Sequence, residues 1–302
     1  MSSDLTDSSS AFSSTASATD FSGLWIPLVT PFAGDAVDHP ALGTLVRRLA
    51  ADGVAGFVVC GSTGEAAALD ESEQLAVLDT VLEAAPTLPC IMGISGHHLG
   101  KTIAWVRRLF AEPIAGLLVP APNYIRPSQA GLLRWFRTLA DASTVPLLVY
   151  DIPYRTGATI ERDTLLALAT HPNIRAVKDC GGDMAKTRAL IADGRLQVLA
   201  GEDAQLFATV AEGGTGAIAA SAHLRTAEFV RTVQLLREGR LVEARAAWTS
   251  LVPLIDALFA EPNPGPLKAA LAQLGAMEDA LRAPMTTAST ALRSRLRALS
   301  LR

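Results

Sequence analysis

Short apolar runs alternate with longer amphipathic segments along this chain from Leu24 onward. Eight runs stand out: 24–29 (LWIPLV), 56–60 (GFVVC), 90–94 (CIMGI), 116–120 (GLLVP), 146–150 (PLLVY), 174–178 (IRAVK), 196–200 (LQVLA) and 216–220 (GAIAA). Their apolarity is continuous rather than alternating, as in strands covered on both faces. The segments between them carry helix signals. Asp38 precedes His39-Pro40 and an amphipathic stretch that stops at Gly53, placing an N-cap, a first-turn proline and a glycine stop in helical order. Asp70 opens DESEQLAVLDTVLEAA, with acids in the first turn where the helix dipole favours them. Arg126-Pro127-Ser128 leads into QAGLLRWFRTLADA.

Repeated strand–helix units imply parallel strands with right-handed crossovers. Such units suit an open doubly wound sheet or a closed barrel. Eight is the barrel number, and no GxGxxG follows the first run, which weighs against a dinucleotide-binding sheet. The expected architecture is a (β/α)8 TIM barrel over residues 23–224. Additional C-terminal helices over 225–302 pack on it in the same domain, because no glycine- or serine-rich linker sets them apart. Residues 1–22 are rich in Ser, Thr and Ala. They lack the basic start and apolar stretch of a secretory leader and read as a disordered tail outside the fold.

Composition narrows the function classes. Apolar residues make up 49% of the chain and charged residues 19%, enough to bury a large core. A net charge of -4 leaves no basic surplus for nucleic acid or an anionic membrane. No apolar run reaches the roughly 18 residues of a membrane span. Cys60, Cys90 and Cys180 lack zinc-ligand spacing and are odd in number, which favours a reducing cytoplasm. Cys60 and Cys90 read as small apolar strand fillers; Cys180, two residues past Lys178, is less easily dismissed. Adjacent His97 and His98 seldom face one ion in a strand or helix and read as loop or interface residues, not metal ligands.

Barrel active sites sit at the carboxyl ends of the strands, so the last residue of each run carries the candidate chemistry. Lys178 closes the sixth run. Desolvation there lowers an amine's pKa and supplies the neutral form that attacks a ketone; a lysine that snorkels to the rim is the equal alternative. Tyr150 closes the fifth run, where a phenol passes protons or simply fills the core with a solvated tip. Gly61-Ser62-Thr63-Gly64-Glu65 follows the second run and permits a tight turn whose backbone N–H groups bind a carboxylate. Arg155, in the loop after the fifth run, is a candidate carboxylate clamp or a surface ion-pair residue.

Together these residues resemble the dihydrodipicolinate synthase / N-acetylneuraminate lyase family of class I aldolases. The likeness runs from about Gly23 to Leu292. It rests on GSTGE (61–65), RPSQ (126–129), YDIPYRTG (150–157), VKD (177–179), AGED (200–203) and EPNPGPLK (261–268). The resemblance implies that Lys178 forms a Schiff base with pyruvate and that Tyr150 shuttles protons. Ser62 and Tyr124 would complete its hydroxyl relay, with serine where the synthase usually has threonine. It further implies that the Ser62 and Thr63 N–H groups hold the pyruvate carboxylate, that Gly201 and Ile218 line the substrate site, and that Arg155 holds the carboxylate of an aldehyde substrate. In family members Tyr124 reaches into a neighbouring subunit's site, so a homodimer at least is implied, and a homotetramer is usual. No metal or organic cofactor is required.

Arg155 favours the synthase activity, condensation of pyruvate with L-aspartate semialdehyde to 4-hydroxy-tetrahydrodipicolinate in lysine and diaminopimelate biosynthesis. Alternatives are a pyruvate-dependent aldolase or dehydratase of a 2-keto-3-deoxy sugar acid or 4-hydroxy-2-oxoglutarate, and a non-catalytic 2-oxo-acid binding protein. Intact Lys178, Tyr150 and Tyr124 argue against the last. The chain departs from the family pattern at Asn123, in place of a tyrosine, and at Asp151, in place of an asparagine. Asp151 is expected to add a carboxylate beside the site and repel an acidic substrate. The family's lysine-effector positions fall on Ala66, His97, Lys101 and Asn123. Lys101 replaces a glutamate there, so free L-lysine is expected not to inhibit.

Overall fold

A computed structural model describes residues 19–301 of the chain. Each of the eight apolar runs holds a strand: β1 Gly23–Pro27, β2 Gly56–Val59, β3 Cys90–Gly93, β4 Gly116–Pro120, β5 Leu147–Asp151, β6 Ile174–Asp179, β7 Gln197–Ala200 and β8 Gly216–Ile218. They form a closed barrel in which every neighbouring pair is parallel, with β8 returning to β1. Closure needs a glycine at the seam. A Cβ on Gly216 would lie 2.0 Å from the Gly23 carbonyl oxygen, so any larger residue would force β8 off β1.

The period of two along each strand sorts the side chains. Trp25, Val58, Ile91, Leu118, Leu148, Ala176, Leu199 and Ile218 fill the barrel interior as one cluster. Their neighbours along the strands, such as Val59, Val119, Val149 and Val177, join the larger cluster under the helices.

Those helices are α1 His39–Ala51, α2 Glu71–Ala84, α3 Leu99–Arg108, α4 Gln129–Ala142, α5 Arg162–Leu168, α6 Met184–Asp193, α7 Leu206–Ala211 and α8 Thr226–Arg237. The starts of α1, α2 and α4 match the sequence signals. The Asp38 carboxylate accepts from Ala41 N at 3.0 Å. Asp70 and Glu73 form a reciprocal capping box. The segment from 225 opens with the barrel's own eighth helix. Three additional helices come after it: α9 Leu241–Leu258, α10 Gly265–Gln273 and α11 Thr290–Arg297.

Two features depart from the sequence expectation. A two-stranded hairpin, Phe32–Ala33 with Ala36–Val37, joins β1 to α1. The last four residues of the expected tail are also structured. Phe21 is buried against Trp25, whose indole N–H donates to the Phe21 carbonyl at 2.8 Å. Gln197 accepts from Phe21 N at 2.8 Å and donates to Thr19 O at 3.0 Å. The chain thus plugs the amino-terminal end of the barrel before β1 starts. The rest of the expected tail, residues 1–18, lies outside the described residues.

Candidate active site

Tyr150 and Lys178 are direct partners in the β5–β6 ladder, so strand alternation sends both side chains into the barrel mouth. The Lys178 amine lies 3.4 Å from the Tyr150 hydroxyl and 4.4 Å from the centre of its ring. Both residues are buried. Burial is the main cause lowering the Lys178 pKa; the nearby Asp203 and Glu202 carboxylates oppose it, and Arg155 adds to it. Burial likewise raises the Tyr150 phenol well above its ordinary range, while hydrogen bonding to Ser62 pulls it down. The ground state is therefore a protonated phenol next to an amine biased toward its neutral form. That pair can add the amine to a carbonyl and move protons as it does so. The lysine does not snorkel to the rim.

The turn after β2 faces this pair. Cys60 and Glu65 flank it with left-handed backbones, φ 53° and 54°. Such conformations are uncommon outside glycine and cluster at ligand clamps. Gly64 N bonds to Gly61 O at 3.1 Å, and Glu65 N bonds to Ser62 O at 3.2 Å. The Ser62 and Thr63 N–H groups have no hydrogen-bond acceptor among the described residues, as a carboxylate-binding nest requires. Ser62, Tyr150 and Arg155 line one cavity of about 250 Å³, together with Ala66 and Asn123. A larger groove of about 540 Å³ lies between α1 and the start of α8, away from these groups, and its Arg225 is already paired with Glu228.

Gly201 sits under the lysine. A Cβ there would lie 2.4 Å from the Cys180 sulfur and 2.9 Å from Lys178 Cγ, so only glycine lets the Lys178 side chain extend along β7. Ile218 is buried in the interior cluster at the end of β8. Cys180 belongs to that same cluster; burial holds its thiol well above the usual range and hence neutral. Arg155, on the one-turn helix Pro153–Thr156, stacks over Tyr154 at 5.7 Å.

Asp151 does not add a carboxylate to the cavity. It comes directly after Tyr150 in β5 and so points outward, where it forms a buried ion pair with Lys186 of α6. The expected repulsion of an acidic substrate is therefore absent. Tyr124 is not brought to the cavity by its own chain: its side chain is 91% exposed, on a left-handed backbone with φ 74°. His98 caps α3, accepting from Lys101 N at 3.2 Å. Among the described residues no group of His, Cys, Asp and Glu has the arrangement of a metal site.

Two of the sequence motifs, AGED and EPNPGPLK, gain their roles only in the fold. Asp203 of AGED accepts from Ala220 N at 3.1 Å and Ser221 N at 2.5 Å, tying the loop after β7 to the loop after β8. In EPNPGPLK, Lys268 pairs with Glu65 and Asn263 donates to the Thr63 hydroxyl at 3.0 Å. Their presence beside the other motifs was the available signal; their contacts are too distant in sequence to read.

Fold and site together define a (β/α)8-barrel enzyme with a buried lysine amine at the carboxyl end of its strands. The profile of the Dihydrodipicolinate synthetase family matches residues 20–300, and the chain belongs to that family. It is 35% identical over 278 residues to 4-hydroxy-tetrahydrodipicolinate synthase 2 of Clostridium acetobutylicum, covering 91% of this chain and 97% of that protein. It is 39% identical over 281 residues to the 4-hydroxy-tetrahydrodipicolinate synthase of Sorangium cellulosum, covering 91% and 93%. The crystal structure of the chloride-inhibited dihydrodipicolinate synthase from Acinetobacter baumannii complexed with pyruvate superposes with a TM-score of 0.90 at 29% identity, covering 92% and 97%.

Proposed function

We propose that the protein condenses pyruvate with L-aspartate semialdehyde to give 4-hydroxy-tetrahydrodipicolinate. The observation that carries this reading is the desolvated Lys178 amine 3.4 Å from the Tyr150 hydroxyl, supported by the family membership. The neutral amine attacks the pyruvate ketone carbon to give a carbinolamine. Tyr150 passes a proton to the departing oxygen, which leaves as water, and an iminium remains. Loss of a methyl proton gives the enamine, whose carbon attacks the aldehyde. The amine of the aldehyde substrate then displaces Lys178, closing the ring. The iminium itself is the electron sink, so the sequence of steps calls on no metal or organic cofactor.

The Ser62 and Thr63 N–H groups hold the pyruvate carboxylate, and Gly201 and Ile218 line the site. Arg155 holds the carboxylate of the aldehyde. Tyr124, exposed on its own subunit, serves a neighbouring subunit's relay with Ser62 and Tyr150, so the working form is a homodimer or homotetramer. The setting is cytoplasmic. No helix among the described residues is long and apolar enough to cross a membrane. Free L-lysine does not inhibit, because Lys101 places a like charge where the effector's ammonium would sit; half-maximal inhibition at sub-millimolar L-lysine refutes this.

The substrate is tested by comparing L-aspartate semialdehyde with 2-keto-3-deoxy sugar acids and 4-hydroxy-2-oxoglutarate. The semialdehyde is expected to give the highest kcat/KM. Losing one charge-assisted hydrogen-bonding group costs about 1.5–3 kcal/mol, so Arg155→Ala should lower kcat/KM for the aldehyde roughly 10- to 150-fold. Equal loss in pyruvate trapping would remove Arg155 from its role, and a preferred sugar acid would replace the substrate.

A further inference from the structure

The additional C-terminal segment reaches the 61–65 turn through Asn263, Lys268 and Arg282. Lys268 of α10 is fully buried, and its amine lies 2.5 Å from Glu65 Oε1. The same amine donates to Ala280 O at 2.9 Å and sits 4.2 Å from the centre of the Phe32 ring. The other Glu65 oxygen accepts from Arg282 N at 3.2 Å. Asn263, just before α10, donates to the Thr63 hydroxyl. Three ties from residues 263–282 thus grip the five-residue turn whose Gly61 and Ser62 line the cavity.

We infer that Lys268, Glu65 and Asn263 are positioning residues: the C-terminal segment acts as a strut that fixes the 61–65 turn in its carboxylate-binding conformation. A buried ion pair is a poor source of net stability, because desolvating both charges offsets their attraction. Its use lies in geometry. Glu65 has a left-handed backbone, which persists only where its surroundings over-determine it. Lys268 holds the Glu65 side chain from outside the barrel, Arg282 N holds its second oxygen, and Asn263 fixes the orientation of Thr63. Released from these ties, the turn can relax, and two N–H groups that must converge on one carboxylate then diverge. The strut acts on the acid end of the ligand and leaves the Lys178 amine untouched.

This inference rests on the Schiff-base reading, and the test separates the two. Wild type, the neutral pair Glu65→Gln/Lys268→Met and Asn263→Ala are treated with cyanoborohydride and either pyruvate or acetone, which has the ketone but no carboxylate. Modification at Lys178 is tracked by peptide mass spectrometry. The double variant should raise half-saturating pyruvate at least tenfold, and Asn263→Ala should raise it severalfold. Acetone modification at Lys178 should stay within twofold of wild type in both. Wild type untouched by pyruvate overturns the Schiff-base reading, and this inference with it. Wild type modified, with half-saturating pyruvate within twofold in whichever variants fold, overturns the strut alone. So does a parallel loss of pyruvate and acetone modification.

Discussion

Lys186→Met removes one half of the buried Asp151–Lys186 ion pair and strands the other half away from water. Asp151 is 1% exposed and Lys186 5%. One Asp151 oxygen, Oδ1, already lacks a hydrogen-bond partner among the described residues. Burial holds the Asp151 pKa above its ordinary value even with Lys186 beside it. Breaking a buried pair costs about 3–5 kcal/mol, because the remaining charge is left uncompensated. Replacing both partners should nearly restore stability, so Asp151→Asn/Lys186→Met is expected within about 1 kcal/mol of wild type, since neither residue then carries charge. Urea unfolding of the two single variants and the double gives the coupling energy directly.

The pH dependence is fixed in sign. In Lys186→Met the cation no longer opposes burial, so the folded Asp151 pKa lies further above the 3.8 of the unfolded chain. The folded state then binds more protons between 3.8 and the folded value, so the variant loses stability as pH rises through that window. Losses in the single variants that simply add in the double, or a Lys186→Met loss under about 1 kcal/mol at pH 7, would refute the pairing argument.

Two further perturbations have definite directions. The Lys178 pKa is depressed by burial, so the unfolded chain binds more protons between the folded value and 10.5, and wild-type stability rises with pH in that window. Lys178→Met should therefore abolish activity yet stabilise the protein at pH 7 by about 1–3 kcal/mol, a gain that shrinks toward pH 10.5; a destabilised variant at pH 7 contradicts this. His223 is fully buried, and burial pushes its pKa from 6.5 down to about 4. It stays neutral in the fold, so its contribution, on the order of 3 kcal/mol, is present above pH 6.5 and lost as pH falls to about 4. His223→Asn should flatten the stability–pH slope between those values, and an unchanged slope measured by thermal unfolding refutes the assignment.

All eight strands were legible because each is covered on both faces and so reads as a continuous apolar run. The capped starts of α1, α2 and α4 were legible because capping is local. Lys178 and Tyr150 were visible as the last residues of their runs, although only the β5–β6 register brings them together. What stayed hidden was set by distant contacts. Phe21 sits in a stretch of serine and threonine, and nothing local marks it as the barrel plug. Asp151 looked like a charge in the site because its partner lies 35 residues on. The hairpin after β1 has strands of two residues each, too short for any period to show. The strut from Lys268 to Glu65 joins two motifs whose contact the order of the chain conceals.

The proposed reaction turns on a covalent bond between the Lys178 amine and the pyruvate keto carbon. Borohydride reduction of the protein with pyruvate, then peptide mass spectrometry, tests for that bond most directly. The expected result is one reduced pyruvyl adduct per chain, on Lys178, and none in Lys178→Ala. An untrapped wild-type protein, or an adduct that survives in Lys178→Ala, would contradict it.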